Sequence, residues 1–292
     1  MTIKHIVISG GGPTMICSLG TIHNLVQKNY LNIQNIESIY GTSAGSIVAL
    51  LMCLKFDIET IYDYIIKRPW HQLFPINVED IFNAYTKKGV FDIKIVEKIL
   101  KPLFDAKDLS LDITLKEFYE YSKIEFHLFS FEINEFVLED ISYLTFPDMA
   151  LKQAILMSCS IPTLVTPVCF DGKCYIDGGI VSNYPLNFCI ESGKKEEEIL
   201  GLKNKFVNNN INRIDSESTL LDFIINFFFK SIHNLNMDKI QPTIKNEIVS
   251  ELNSLTLNEF KIALSSIDKR VELYNKGVEL AKKFLDKTNI SL

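Results

Sequence analysis

IESIYGTSAGS, residues 36–46, starts as an apolar, strand-like run and ends with a serine held between two glycines. Ile36–Tyr40 has the composition of a buried strand, and Gly45–Leu54 reads as a helix apolar on nearly every side. Two explanations fit a serine at that junction. The chain bends there too tightly for side chains on either flank, or the bend exists to present a reactive hydroxyl. In a strand-to-helix elbow the residues two before and two after the nucleophile nearly touch, which requires Gly41 and Gly45 around Ser43. The helix that follows aims its first N–H groups at any negative charge developing on the serine's target.

Working outward, Lys4–Ser9 reads as a strand that runs directly into Gly10-Gly11-Gly12. Met15–Lys28 then carries apolar residues at 15, 16, 19, 22, 25 and 26, a helical period. Strand, helix, strand, helix from the first residues predicts an α/β fold, with a parallel sheet, right-handed crossovers and helices on its faces. Residues 56–122 are mostly helical by pattern, with 96, 99, 100 and 103 lining one face of Phe91–Phe104. Strands return at Ile124–Ile133 and Phe136–Ile141 around the turn residues Asn134-Glu135, and a helix is expected over Asp148–Ser158. Val168–Tyr175 reads as a hairpin with Asp171-Gly172 at its turn.

Beyond Asn187 the pattern changes. Ser192–Glu198 is a charged loop, Ile199–Lys203 one more strand, and Val207–Asn212 an Asn-rich loop. From Ser218 onward only helices are expected. The last, Ile267–Asp286, has an apolar stripe at 267, 271, 274, 278, 281 and 285 that suits docking on the domain. The division expected is a catalytic domain over 1–205 and a helical extension over 206–292 packed on it.

Composition sets bounds. The chain has 292 residues, 47% of them hydrophobic, enough for a substantial core. A formal charge of −6 argues against a nucleic-acid-coating protein. The longest apolar run, Ile47–Leu54, is far below the roughly 20 residues a spanning helix needs. MTIKHIVISGGG lacks the apolar core of a secretory signal, so an intracellular protein, cytoplasmic or peripheral at membranes, is expected. Six cysteines show no zinc-type pairing. Cys169 and Cys174 face each other across the hairpin, where two free buried thiols are favoured over a disulfide. Trp70 and the run Phe223–Phe229 are read as core, with membrane contact as the alternative.

A serine needs a base and a site for the oxyanion. Gly10, Gly11 and Gly12 end the first strand, on the same sheet edge as the elbow, and their bare amides suit the oxyanion. A phosphate loop fails in detail: GxxxxGK is absent, and Met15 stands where GxGxxG needs glycine. The histidines (5, 23, 71, 127 and 233) are scattered. Asp177 instead follows a short strand and precedes Gly178 and Gly179, which puts a carboxylate at a sheet edge.

These residues resemble the patatin-like phospholipases, serine lipid acyl hydrolases with a Ser–Asp dyad and no histidine. The likeness runs through ISGGG (8–12), GTSAGS (41–46), SCSIP (158–162), YIDGG (175–179) and NYP (183–185), over about residues 4–205. It implies a three-layer α/β/α sandwich with a mainly parallel central sheet, followed here by C-terminal helices. It implies Ser43 as nucleophile, Asp177 as base, Gly10–Gly12 as the oxyanion loop, no metal or cofactor, and a phospholipid or other acyl-ester substrate met by peripheral membrane contact. The family usually continues GGG with a variable residue, a basic residue and a glycine. Here Pro13, Thr14 and Met15 follow, a continuation resembling a branch found in large DNA viruses. Two rivals stand beside this reading: an α/β-hydrolase triad using His233, and a catalytically impaired patatin fold that binds lipid or acts as a scaffold.

Overall fold

The computed structural model describes residues 2–75, 78–206, 214–235, 241–252 and 256–289. The chain opens with β1 (His5–Ile8), α1 (Met15–Gln27), β2 (Ser38–Thr42) and α2 (Ala44–Cys53). A helical stretch follows: α3 (Ile58–Lys67), α4 (Val78–Lys87), the short β3 (Gly89–Phe91), α5 (Ile93–Asp105) and α6 (Leu115–Ser122). Then come β4 (Glu125–Glu132), β5 (Val137–Ile141), α7 (Leu151–Ser158), β6 (Thr163–Val165), β7 (Val168–Phe170), β8 (Lys173–Asp177) and α8 (Leu186–Glu191). The rest is β9 (Ile199–Phe206), α9 (Leu220–Leu235), β10 (Glu247–Leu252), α10 (Leu257–Ser265) and α11 (Ile267–Asn289).

Eight strands form the central sheet in the order β10-β9-β1-β2-β4-β8-β7, with β5 also on β4. From β10 to β4 every neighbour is parallel, and β5, β7 and β8 add antiparallel pairs. The sheet is therefore mainly parallel, with helices on both faces. Ile6, Ile8, Ile39, Leu128 and Leu200 point into the larger core, which α1, α2, α5 and α7 also fill. Val7, Tyr40, Phe129 and Ile199 point the other way, onto Leu186 and Cys189 of α8. This alternation is the period of two that a sheet buried on both faces must show.

The register around β4 positions the site. Leu128 and Phe129 pair with β2 on one edge and β5 on the other, while Ser130 to Glu132 pair with β8 and β5. Because β5 runs along one edge throughout, β2 and β8 must share the opposite one. β2 ends at Thr42 opposite Phe129, and β8, running the other way, ends at Asp177 opposite Ser130. Two strands thus meet head to head along a single edge.

Three expectations are corrected. The segment after Ser218 is not purely helical. β10 pairs in parallel with β9 and closes the sheet, its alternation of Ile248, Ser250 and Leu252 blurred by a serine on the inner face. Cys169 and Cys174 are joined as a disulfide rather than held as buried thiols, because the turn at Asp171 (φ 49°) and Gly172 (φ 77°) brings their Cα atoms to 4.1 Å. The Phe223–Phe229 run is not all core: Ile225 and Phe228 are buried, Phe223 and Phe227 exposed. Trp70 is buried, and its indole N–H donates to Ile65 O at 2.7 Å. Val207–Asn212 lies outside the described residues.

The C-terminal helices attach by close backbone contact. A Cβ at Gly20 of α1 would collide with Tyr274 O, and one at Gly277 of α11 with Cys17 O. Thr21 Oγ1 donates to Gly277 O at 3.1 Å across this crossing. Small residues on both helices let the two backbones approach, and the stripe expected on residues 267–285 packs there through Val271, Tyr274, Val278, Ala281 and Leu285.

Candidate active site

Ser43 sits where β2 turns into α2, with φ 54° and ψ −129°, a conformation that costs a non-glycine residue of order 1–3 kcal/mol. The turn is enforced from both flanks. A Cβ on Gly41 would lie 2.7 Å from Gly45 O, and one on Gly45 would strike Ile8 O. The strained residue is locked by hydrogen bonds: Ser43 N donates to Ser158 Oγ at 3.0 Å, and Ser46 Oγ donates to Ser43 O at 2.6 Å.

Asp177 ends β8, is 1% exposed, and accepts from Gly179 N at 2.8 Å. Ser43 lines the same small cavity as Asp177, and its hydroxyl favours the ionised form of this carboxylate. Burial pushes the Asp177 carboxyl up to about 7, against the opposing pull of the Ser43 hydroxyl and the Gly179 N–H. Gly178 has no room for a side chain, since a Cβ there would lie 2.5 Å from Phe129 O. The head-to-head strand ends of β2 and β8 therefore bring together the two residues that the sequence singled out. Nearby Cys159, whose Sγ lies 3.7 Å from Ser46 Oγ, is pushed up to about 12 by burial and by Asp177, and stays a neutral thiol.

The glycine loop divides into two parts. Gly10 N donates to Asn183 O at 3.0 Å, so that amide is committed to structure. Gly11 (φ 154°) and Gly12 (φ 52°) line the cavity beside Ser43 and Asp177. No described residue accepts from their N–H groups. The position that the family fills with a basic residue holds Thr14, whose hydroxyl donates to Gly11 O at 2.9 Å and accepts from Asn204 Nδ2 at 2.9 Å. Asn204 and Asn183 also donate to Gly10 O, at 2.9 and 3.1 Å. A neutral hydrogen-bonded brace thus fixes the loop.

Motif reading did not assign Thr14, Ser158, Asn183 or Asn204 to the site. Asn183 and Ser158 stand in the NYP and SCSIP strings, which was the available signal; Asn204, late in β9, gave none. Nor did it foresee that Phe228, Phe229 and Ile232 of α9, with Ile161, would close the cavity. No described histidine lines it. His5 is bonded to Ser38 at 2.8 Å and His127 to Asp140 at 2.7 Å. His23 meets Tyr274, and His71 is exposed. The side chain of His233 lies outside the described residues. Among the described residues no cluster of His, Cys, Asp and Glu could hold a metal ion, and no helix is long and apolar enough to cross a membrane.

Comparison with known proteins agrees with this architecture. The chain is 27% identical over 197 residues to "Probable lipid hydrolase 463L" of Invertebrate iridescent virus 6, across 67% of this chain and 66% of that protein. It thus spans slightly under two thirds of that relative. It is 26% identical over 251 residues to "Uncharacterized protein R571" of Acanthamoeba polyphaga mimivirus, across 85% of this chain and 80% of the other. The fold matches that of VipD from Legionella pneumophila with a TM-score of 0.57 at 17% identity, covering 98% of this chain and 67% of that one. Residues 6–190, more than half of the chain, match the model of the family described as "Patatin-like phospholipase". The chain belongs to the patatin-like phospholipase family.

Proposed function

We propose that this protein is a lipid acyl hydrolase that cleaves fatty-acyl esters of phospholipids through a Ser43–Asp177 dyad. The observation that carries the reading is a strained, elbow-held serine that shares one small cavity with a buried carboxylate pushed up to about 7. A carboxylate near its usual value of about 3.9 is a weak base for a hydroxyl, and raising it toward neutrality strengthens it at the pH of use.

The Ser43 oxygen attacks the ester carbonyl carbon while Asp177 takes its proton. The N–H groups of Gly11 and Gly12 receive the oxyanion, and Gly10 serves the loop's structure instead. The carbon–oxygen bond to the alcohol breaks, and the alcohol leaves with the proton from Asp177. Water, deprotonated by Asp177, then attacks the acyl-serine, and Asp177 returns the proton to Ser43 Oγ as its bond to the acyl group breaks and the fatty acid leaves. Gly41, Gly45, Gly178 and Gly179 shape the elbow and the Asp177 turn. The name of the iridescent virus relative supports a lipid substrate.

Fatty-acid release from phospholipid vesicles by the purified protein, with Ser43→Ala alongside, tests this. Release that falls at least ~1,000-fold in the variant is expected. Vesicle binding without release by either protein would instead make the chain a lipid-binding scaffold.

A further inference from the structure

The cavity beside Ser43 has a volume of only ≈ 10 Å³. That is about the space of one water, far too little for an acyl ester. Its walls are of two kinds. Gly11, Gly12, Ser43, Ile161, Asp177 and Asn183 belong to strand ends and loops around the sheet. Phe228, Phe229 and Ile232 belong to α9, which lies on the Gly178–Ile180 turn and β6 through a small apolar cluster separate from the main core. The helix that blocks the site is held over it by a small apolar cluster of its own.

The same helix carries a second apolar face. Leu220, Phe223 and Phe227 are 75%, 53% and 64% exposed, at the i, i+3, i+7 spacing of one stripe. Its charged residues are Asp222 and Lys230, and Asp222 is occupied capping the first turn by accepting from Thr219 N and Oγ1. α4 adds Phe82 and Tyr85, both largely exposed, and packs on β3, which pairs with β6 beneath α9. An apolar rim of this kind beside a blocked lipid site marks a surface that leaves water when it works.

Resting on the function proposed above, we infer that α9 is a lid opened by a phospholipid surface: Leu220, Phe223 and Phe227 insert among acyl chains, and Phe228 and Ile232 swing off the Ser43–Asp177 pair. In water, opening would expose Ile225, Phe228 and Ile232 while the outer stripe stays wet. Moving such apolar side chains into water is unfavourable, so the closed state is favoured there. On a bilayer both faces of the helix are covered, so the lipid favours the open state over the closed one. That differential is what a ligand needs in order to shift a conformational equilibrium.

The test is the rate at which a fluorophosphonate probe labels Ser43, with and without vesicles of dialkyl-ether phosphatidylcholine, which the enzyme cannot cleave. Vesicles are expected to speed labelling at least 10-fold. Phe223→Ser with Phe227→Ser should abolish that acceleration and co-sedimentation with the vesicles while keeping the wild-type circular dichroism. Phe228→Ala with Ile232→Ala should label fast in buffer alone. Equal wild-type rates with and without vesicles overturn the lid. So does a double serine variant that keeps the acceleration, or one that only converts a dimer to a monomer, which would make the stripe a protein interface. Absence of Ser43 labelling in every variant, the lid-opened one included, overturns the nucleophile assignment and the lid with it.

Discussion

Asp177 does two things that conflict. As the base proposed above it must be ionised, and burial resists ionisation, which is why its carboxyl is pushed up to about 7. In the proposed mechanism kcat/KM should rise with pH and reach half its plateau near 7, in a pH–rate profile on a soluble ester. The stability consequence has the opposite sign. Between the unfolded value of about 3.9 and the folded value near 7, the native state holds a proton that the unfolded chain has released. Stability therefore falls as pH rises through that window. Asp177→Asn removes the titration and keeps an acceptor for Gly179 N. Urea unfolding should find it more stable than the parent at pH 8, on the order of a few kcal/mol, and close to it at pH 4. Its turnover should be lost at both pH values. A parent equal to the variant in stability at pH 8 would mean that Asp177 is not buried as an ion.

Among elements, the glycine loop is held by side chains that carry no charge. Thr14 and Asn204 hold Gly10 and Gly11 by neutral hydrogen bonds, where the resemblance led one to expect a cation. Thr14→Val keeps the shape but strands the Gly11 carbonyl and the Asn204 amide. An unpaired buried polar group costs about 1–3 kcal/mol. The variant should lose roughly 10- to 100-fold in kcat with KM little changed, because a loosened loop weakens only interactions made with the oxyanion. Thr14→Ser should recover most of the loss, and steady-state kinetics on the three proteins would decide it. A variant at full kcat would relieve the brace of any part in catalysis. The strands β3 and β6 are a plainer matter: at three residues each they are too short for a period of two to register.

At the scale of the molecule, Arg270 joins helices distant in sequence. It is 2% exposed, and its guanidinium donates to Ile66 O at 2.9 Å, Ala263 O at 2.7 Å, Leu264 O at 3.1 Å and Arg68 O at 3.2 Å. These carbonyls lie at the C-terminal ends of α3 and α10, where a cation is favoured by the helix dipole. Arg270→Met should destabilise by about 2–4 kcal/mol through the orphaned carbonyls, read as an earlier urea midpoint at unchanged slope. An unaltered midpoint would leave these helices held by apolar packing alone. Local sequence was enough to locate the elbow, the glycines that need close approach, Ser43 and Asp177 as the candidate pair, and the sheet's parallel character. Each follows from local spacing or from a backbone that excludes Cβ atoms. Tertiary structure alone decided that β2 and β8 end head to head on β4, that β10 closes the sheet, and that α9 seals the cavity. Those depend on which apolar faces meet across long separations, and one chain's periodicity carries no record of its partner.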